Sequence, residues 1–211
     1  PNNGDISLTL GANQGYLTGN PYPSALDAHQ FILDHLDKDL VAGATNDRNV
    51  FNGTLYFWSH FAGHSHYLEE YVGGYAPYNL SGGAKPYSTD ERIDNTDPKE
   101  SGDLIPEDYI PVGQAFMLNT KIDTTMTFNG VISGGTIQFK NSLREFHRES
   151  EGSSVFLSQE RKSKKSASEK RQKIWLNFKS PQSYSRQLLI TADPLTTNSF
   201  DLGYDAPLIE N

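Results

Sequence analysis

The sequence predicts an all-β fold, a jelly-roll-like β-sandwich with one short helix near residues 25–36. Three observations carry this expectation. Short runs alternating apolar and polar residues recur along the chain, clusters of Gly, Pro and Asn separate them, and a single stretch shows helical spacing. Hydrophobic residues make up only 36%, but 11 Tyr, 11 Phe and 2 Trp offset this, because each aromatic ring buries a large area. A chain of 211 residues is long enough to close one core around such strands.

Ile6 to Leu10 alternates with the period of a half-buried strand, after the turn residues Asn2-Asn3-Gly4-Asp5. Tyr16 to Thr18 reads as a short second strand. Pro21 and Pro23 hold off a helix until Ser24, and Ser24 with Asp27 three residues on forms a capping-box pattern. Ala28, Phe31, Ile32, His35 and Leu36 follow at helical spacing, predicting a helix from Ala25 to Leu36. Thr54 to His60 is the most strand-like segment. Tyr67 to Val72 and Tyr75 to Leu80 are further strands, broken at Gly73-Gly74 and closed by Ser81-Gly82-Gly83.

Residues 84–108 read as a long loop, an unusual length that is often functional or mobile. From Asp90 to Asp108 it holds eight acidic residues against two basic ones. Ile110 to Leu118 reads as one buried strand. Thr125 to Phe128 and Thr136 to Phe139 alternate around Gly130 and Gly134-Gly135, the signature of a hairpin. Lys173 to Phe178 and Arg186 to Ala192 form a last pair, joined through Ser180-Pro181-Gln182-Ser183. The preceding stretch, 159–173, is basic: seven Lys or Arg against two Glu.

Composition excludes several functions. The formal net charge of −8 repels phosphate backbones, so no nucleic-acid partner is expected. With no cysteine there is no disulfide, thiolate nucleophile or cysteine-ligated metal. No membrane span or targeting segment is legible. The chain opens at Pro1 and stops at Asn211, so residues 1–211 are expected to be one module cut from a larger secreted multidomain protein.

No catalytic constellation is legible, and the expectation is a non-enzyme. Glu69 and Glu70 are adjacent, so on a strand they point to opposite faces and cannot be a glycosidase pair. No Gly-x-Ser-x-Gly elbow, P-loop or dinucleotide fingerprint occurs. His60, His64 and His66 cluster, and the last two would share one strand face as metal ligands do. No His-Glu-x-x-His pattern is present and Gly63 suggests a loop, so ordinary strand or loop histidines are the simpler explanation. Asp193, Asp201 and Asp205 near the end suggest a structural calcium site, or Asx-turns that cap their own backbone. Aromatic residues crowd positions 56–78. Trp58, Tyr71 and Tyr75 are the candidates for a platform that stacks sugar rings, with core packing as the alternative. The basic run could meet an anionic polymer or the acidic loop of a neighbouring module; a solvated hairpin tip explains it too.

Several segments together resemble a module of flavobacterial and other Bacteroidetes extracellular proteins exported by the type IX secretion system. They are Gly19-Asn20-Pro21-Tyr22-Pro23-Ser24-Ala25-Leu26-Asp27-Ala28, Gly53-Thr54-Leu55-Tyr56-Phe57-Trp58, Glu70-Tyr71-Val72-Gly73-Gly74-Tyr75-Ala76, Tyr109-Ile110-Pro111-Val112-Gly113-Gln114-Ala115-Phe116, Trp175-Leu176-Asn177 followed by Arg186-Gln187, and Phe200-Asp201-Leu202-Gly203-Tyr204-Asp205-Ala206. The 161–173 run is more basic than that pattern. The resemblance implies an extracellular or cell-surface location beside other domains of the same chain, including a C-terminal sorting domain. It implies no single activity. The resulting expectation is a non-catalytic glycan-binding or adhesive module whose partner is a polysaccharide or surface glycan. The alternatives are a structural spacer beside the sorting domain and an accessory domain of a secreted hydrolase.

Overall fold

The structure, a computed structural model, describes residues 4–62, 67, 72–86, 105–121, 131–146, 171–181 and 185–207. Within them twelve strands and one α-helix are found. They run β1 (Ile6–Leu10), β2 (Gly15–Gly19), β3 (Ala25–Asp27), α1 (Ala28–Leu33), β4 (Leu55–Ala62), β5 (Val72–Asn79), β6 (Gly82–Gly83), β7 (Tyr109–Ile110), β8 (Ala115–Asn119), β9 (Gly135–Phe139), β10 (Arg144–Glu145), β11 (Gln172–Lys179) and β12 (Ser185–Ala192). All strand pairs are antiparallel. The largest sheet has the order β2-β8-β4-β5-β6; β10-β3-β7, β1-β9 and β11-β12 form smaller ones. The fold is all-β and sandwich-like, as the alternating pattern predicts.

The five-stranded sheet buries one face. Leu55 and Phe57 of β4, Ala76 and Tyr78 of β5, and Phe116 and Leu118 of β8 enter the core. Against them pack α1 through Phe31 and Ile32, β9 through Ile137 and Phe139, and Leu26 and Ile110 from β3 and β7. Phe31 stands at the centre. Its ring lies 5.2 Å from Phe139 and 6.0 Å from Phe116, centroid to centroid. Complete burial of one such side chain contributes about 1.5–3 kcal/mol. The short helix therefore matters less for its backbone than for the ring it delivers between two sheets.

Two sequence expectations are corrected. The helix spans Ala28–Leu33, not 25–36, and its N-cap is Asp27, whose carboxylate accepts from Gln30 N at 2.8 Å. Residues 25–27 are extended instead, because Leu26 pairs with both Ile110 and Arg144; strand pairing outcompetes the Ser24 cap. The segment 110–118 is two strands in different sheets. Pro111 supplies no N–H for a ladder, and the chain turns with Gly113 at φ +71° and Gln114 N donating to Pro111 O. β9 pairs with β1, Ile137 opposite Leu8; the other strand expected of its hairpin, Thr125 to Phe128, lies outside the described residues.

His35 ties the helix to β9. Its Nδ1–H donates to Phe31 O at 2.7 Å and its Nε2 accepts from Gln138 N at 2.8 Å. The side chain is buried, and burial holds its pKa below the ordinary histidine value, so the ring is neutral. Next to it Asp34 is buried too. Burial pushes its pKa up, but hydrogen bonds from Lys140, Gln30 and Thr45 outweigh this and hold it low.

Candidate functional site

Strand alternation sets out two faces on β4. Leu55, Phe57 and Ser59 face the core; Tyr56, Trp58 and His60 face outward. Tyr56 is nevertheless buried. Its hydroxyl donates to Pro207 O at 3.0 Å and accepts from Asn52 Nδ2, and burial pushes its pKa up to about 12. Two residues on, Trp58 emerges 39% exposed.

Trp58 is the cross-strand partner of Tyr75. The rings meet edge to face, 5.1 Å between centroids, the geometry favoured by aromatic quadrupoles. Gly73 lies beneath the indole: a Cβ built there would come within 2.5 Å of Trp58 Cζ2. Any side chain at 73 would lift the ring. The Gly-Gly break read from sequence as a strand stop is in fact inside β5, and Gly73 makes room for the flat indole. His60 follows on the same face and is exposed. The outer face of β4–β5 thus presents a braced, partly exposed indole with a half-buried phenol beside it.

Of the predicted site residues, Trp58 and Tyr75 come together, whereas Tyr71 lies outside the described residues, as do His64, His66, Glu69 and Glu70. Tyr56, Phe57 and Tyr78 are core residues, so the alternative reading holds for those three. Tyr67 is exposed at a described position outside any strand.

The closing Asp-rich turn is built from self-capping contacts. Asp201 accepts from Thr197 N at 2.6 Å and from Thr197 Oγ1 at 3.0 Å. Asp205 accepts from Asp201 N at 2.7 Å. Asp193 accepts from Leu195 N and from Arg171 Nη1. Each carboxylate thus already has an N–H donor, but only Asp193, which accepts from Leu195 two residues on, forms an Asx-turn. Among the described residues no group of three or more His, Asp or Glu converges in a way that could hold a metal. The turn positions Leu202, Gly203 and Tyr204 in the core, with Asn79 Nδ2 and Ser81 Oγ both donating to Tyr204 O.

Two features escaped the sequence reading. Glu107 is half-buried, and burial followed by the charge of Asp108 pushes its pKa up to about 7. Its neighbour Asp108 accepts from Tyr78 Oη at 2.8 Å. The acidic loop offered no signal that this one carboxyl is desolvated. The second is the orientation of the β11–β12 ribbon. Trp175, Lys173 and Gln187 face the body: Trp175 Nε1 donates to Gly83 O, Lys173 Nζ lies by Gly82, and Lys85 N donates to Gln187 Oε1. The apolar set faces outward. Alternation in the sequence reveals two faces but not which one meets the body.

Fold and surface together define an all-β, sandwich-like module with an aromatic patch on its outer sheet face. The chain belongs to the family described as a domain of unknown function, DUF8693, whose profile matches residues 1–211. No curated protein and no solved structure matches it.

Proposed function

We propose that this chain is a non-catalytic extracellular module of a larger exported protein, and that it binds glycan on the outer face of β4–β5. The observation that supports this is the Trp58–Tyr75 pair. Sugar rings stack their C–H faces on flat aromatic surfaces, and a protein gains from such stacking only when the ring is held in place beforehand. Trp58 meets that requirement: Gly73 lies under the indole and Tyr75 abuts its edge. Tyr75, across the strand pair from Trp58, carries a hydroxyl suited to bonding a sugar hydroxyl.

Binding to a glycan array, followed by variants, tests this. Trp58→Ala is expected to lower affinity at least tenfold with an unchanged melting temperature, and Tyr75→Ala less. Absence of binding to any glycan sinks the proposal, as does binding that survives both changes. Binding lost in Trp175→Ala but kept in Trp58→Ala places the site elsewhere and overturns it equally. The second reading, a structural spacer or an accessory domain of a secreted hydrolase, is favoured by a different feature, the outward apolar ribbon. It predicts no glycan binding. Among the described residues no helix is long and apolar enough to cross a membrane.

A further inference from the structure

The β11–β12 ribbon turns its apolar face away from the body. Three successive cross-strand rows make it: Ile174 with Ile190, Leu176 with Leu188, and Phe178 with Arg186. Exposure runs from 45% at Ile190 to 68% at Phe178, with Ile174 at 57%, Leu188 at 56% and Leu176 at 50%. A soluble chain rarely leaves so contiguous an apolar patch bare. The opposite face is secured to β6 and its flanks by Trp175, Gln187 and Arg171, which donates to Leu80 O. The ribbon is therefore held to the body with its apolar side outward.

We propose that this face is a self-association surface, closed by a second copy of the chain. The ribbon suits a two-fold partner. A two-fold axis parallel to the strands, midway between two stacked ribbons, sets β11 of one copy over β12 of the other and keeps every row facing its own equivalent. Ile174 then meets Ile190 of the second copy, and Leu176 meets Leu188. Phe178 meets Arg186, so two guanidinium-on-ring contacts form instead of a clash of like charges. Sheets stacked at about 10 Å allow this interdigitation. Five half-exposed large side chains present on the order of 100 Å² each. Two copies would bury on the order of 1,000 Å², the lower bound of a specific interface. The expected dimer is consequently weak and concentration-dependent.

Sedimentation equilibrium of the 211-residue chain, from micromolar to near-millimolar concentration, tests this. The mass is expected to rise twofold across the range. Leu176→Glu and Leu188→Glu should each hold the chain at monomer mass with unchanged circular dichroism, and Ile190→Lys serves if either fails to fold. Leu17→Glu, at an exposed position on the edge strand β2, should leave the twofold rise intact. A chain that stays monomeric throughout overturns the proposal, as does association that survives the substitutions in Leu176 and Leu188 or is lost with Leu17→Glu. None of these outcomes depends on glycan binding, so this surface and the Trp58 platform stand or fall separately.

Discussion

Between pH 5 and 8 two buried groups should push stability in opposite directions. His35 is neutral in the folded chain, its pKa lowered by burial. Once the pH falls below about 6.5 the unfolded chain takes up a proton there and the folded chain does not. Stability is then lost on acidification, with a slope approaching about 1.4 kcal/mol per pH unit down to the folded value. Glu107 works the other way. Its folded pKa of about 7 lies above its ordinary 4.5, so within that interval the folded chain binds the extra proton and stability rises as pH falls. Undiscounted, that shift corresponds to about 3 kcal/mol. Glu107 is only half-buried, and solvent screening reduces the figure to about 1–2 kcal/mol. The wild type should therefore show a shallow pH profile from cancellation. Urea unfolding at half-unit intervals separates the two. Glu107→Gln should be more stable than wild type at pH 8 by about 1–2 kcal/mol and lose stability steadily below pH 6.5. His35→Phe should become more stable on acidification from pH 7 to 5. It should also be weaker at pH 8 by about 2–4 kcal/mol, because Gln138 N–H and Phe31 C=O are left unpaired. If Glu107→Gln keeps a flat profile below pH 6.5, the neutral, doubly bonded His35 is wrong.

Other substitutions probe the packing. Gly53 sits at φ +76° and a Cβ there would lie 2.5 Å from Gly203 Cα, so Gly53→Ala should cost at least about 3 kcal/mol by thermal denaturation. Gly113 has a similar φ of +71° but open space around it, and Gly113→Ala should cost only about 1 kcal/mol; equal costs would show that contact is not the cause. Asn20 is buried, its Nδ2 donates to Ser24, Ile110 and Pro111 carbonyls and its Oδ1 accepts from Tyr22 N, so Asn20→Ala should lose about 2–4 kcal/mol in urea unfolding. The Asp193–Asp205 turn is satisfied by its own donors, so a chelator should leave the melting temperature unchanged; a fall of several degrees would reveal a bound cation.

Strands were legible where alternation with period two records burial on one face, as in β9, where Ile137 and Phe139 are buried and Thr136 is exposed. Where legibility failed, a long-range partner overrode a local signal. Ser24 is a sound cap in isolation, yet Leu26 gains more by pairing with Ile110. Ile110 to Leu118 reads as one strand, yet β7 pairs with β3 while β8 pairs with β2 and β4 in another sheet. Pairing partners are properties of the closed fold, and single-segment patterns carry no record of them. The candidate site was half legible for the same reason. Aromatic crowding at 56–78 was visible, but only the register decides that Trp58 faces out while Phe57 and Tyr78 face in.

The motifs quoted from the sequence have a physical explanation that also limits what they reveal. They meet in space. Gly19-Asn20 lies against 110–115: Asn20 bonds the Ile110 and Pro111 carbonyls, its N donates to Gln114 O, and a Cβ on Gly19 would fall 2.9 Å from that oxygen. Gly53 lies against Gly203 at the closing turn, and Leu80 N donates to Gly203 O. Trp58 lies on Gly73. The first two pairs are junctions between strands and loops, where Asn satisfies several carbonyls at once and Gly permits backbone contact. Such positions tolerate few residues whatever the domain binds, so they identify a fold and are silent on a ligand. The third pair differs. Its upper member is 39% exposed, and burying an indole completely against the sheet would have been the simpler way to stabilise it. A ring held flat yet left in solvent contributes less to folding than it could, and that shortfall makes Trp58 the residue to substitute first on the outer face of β4–β5.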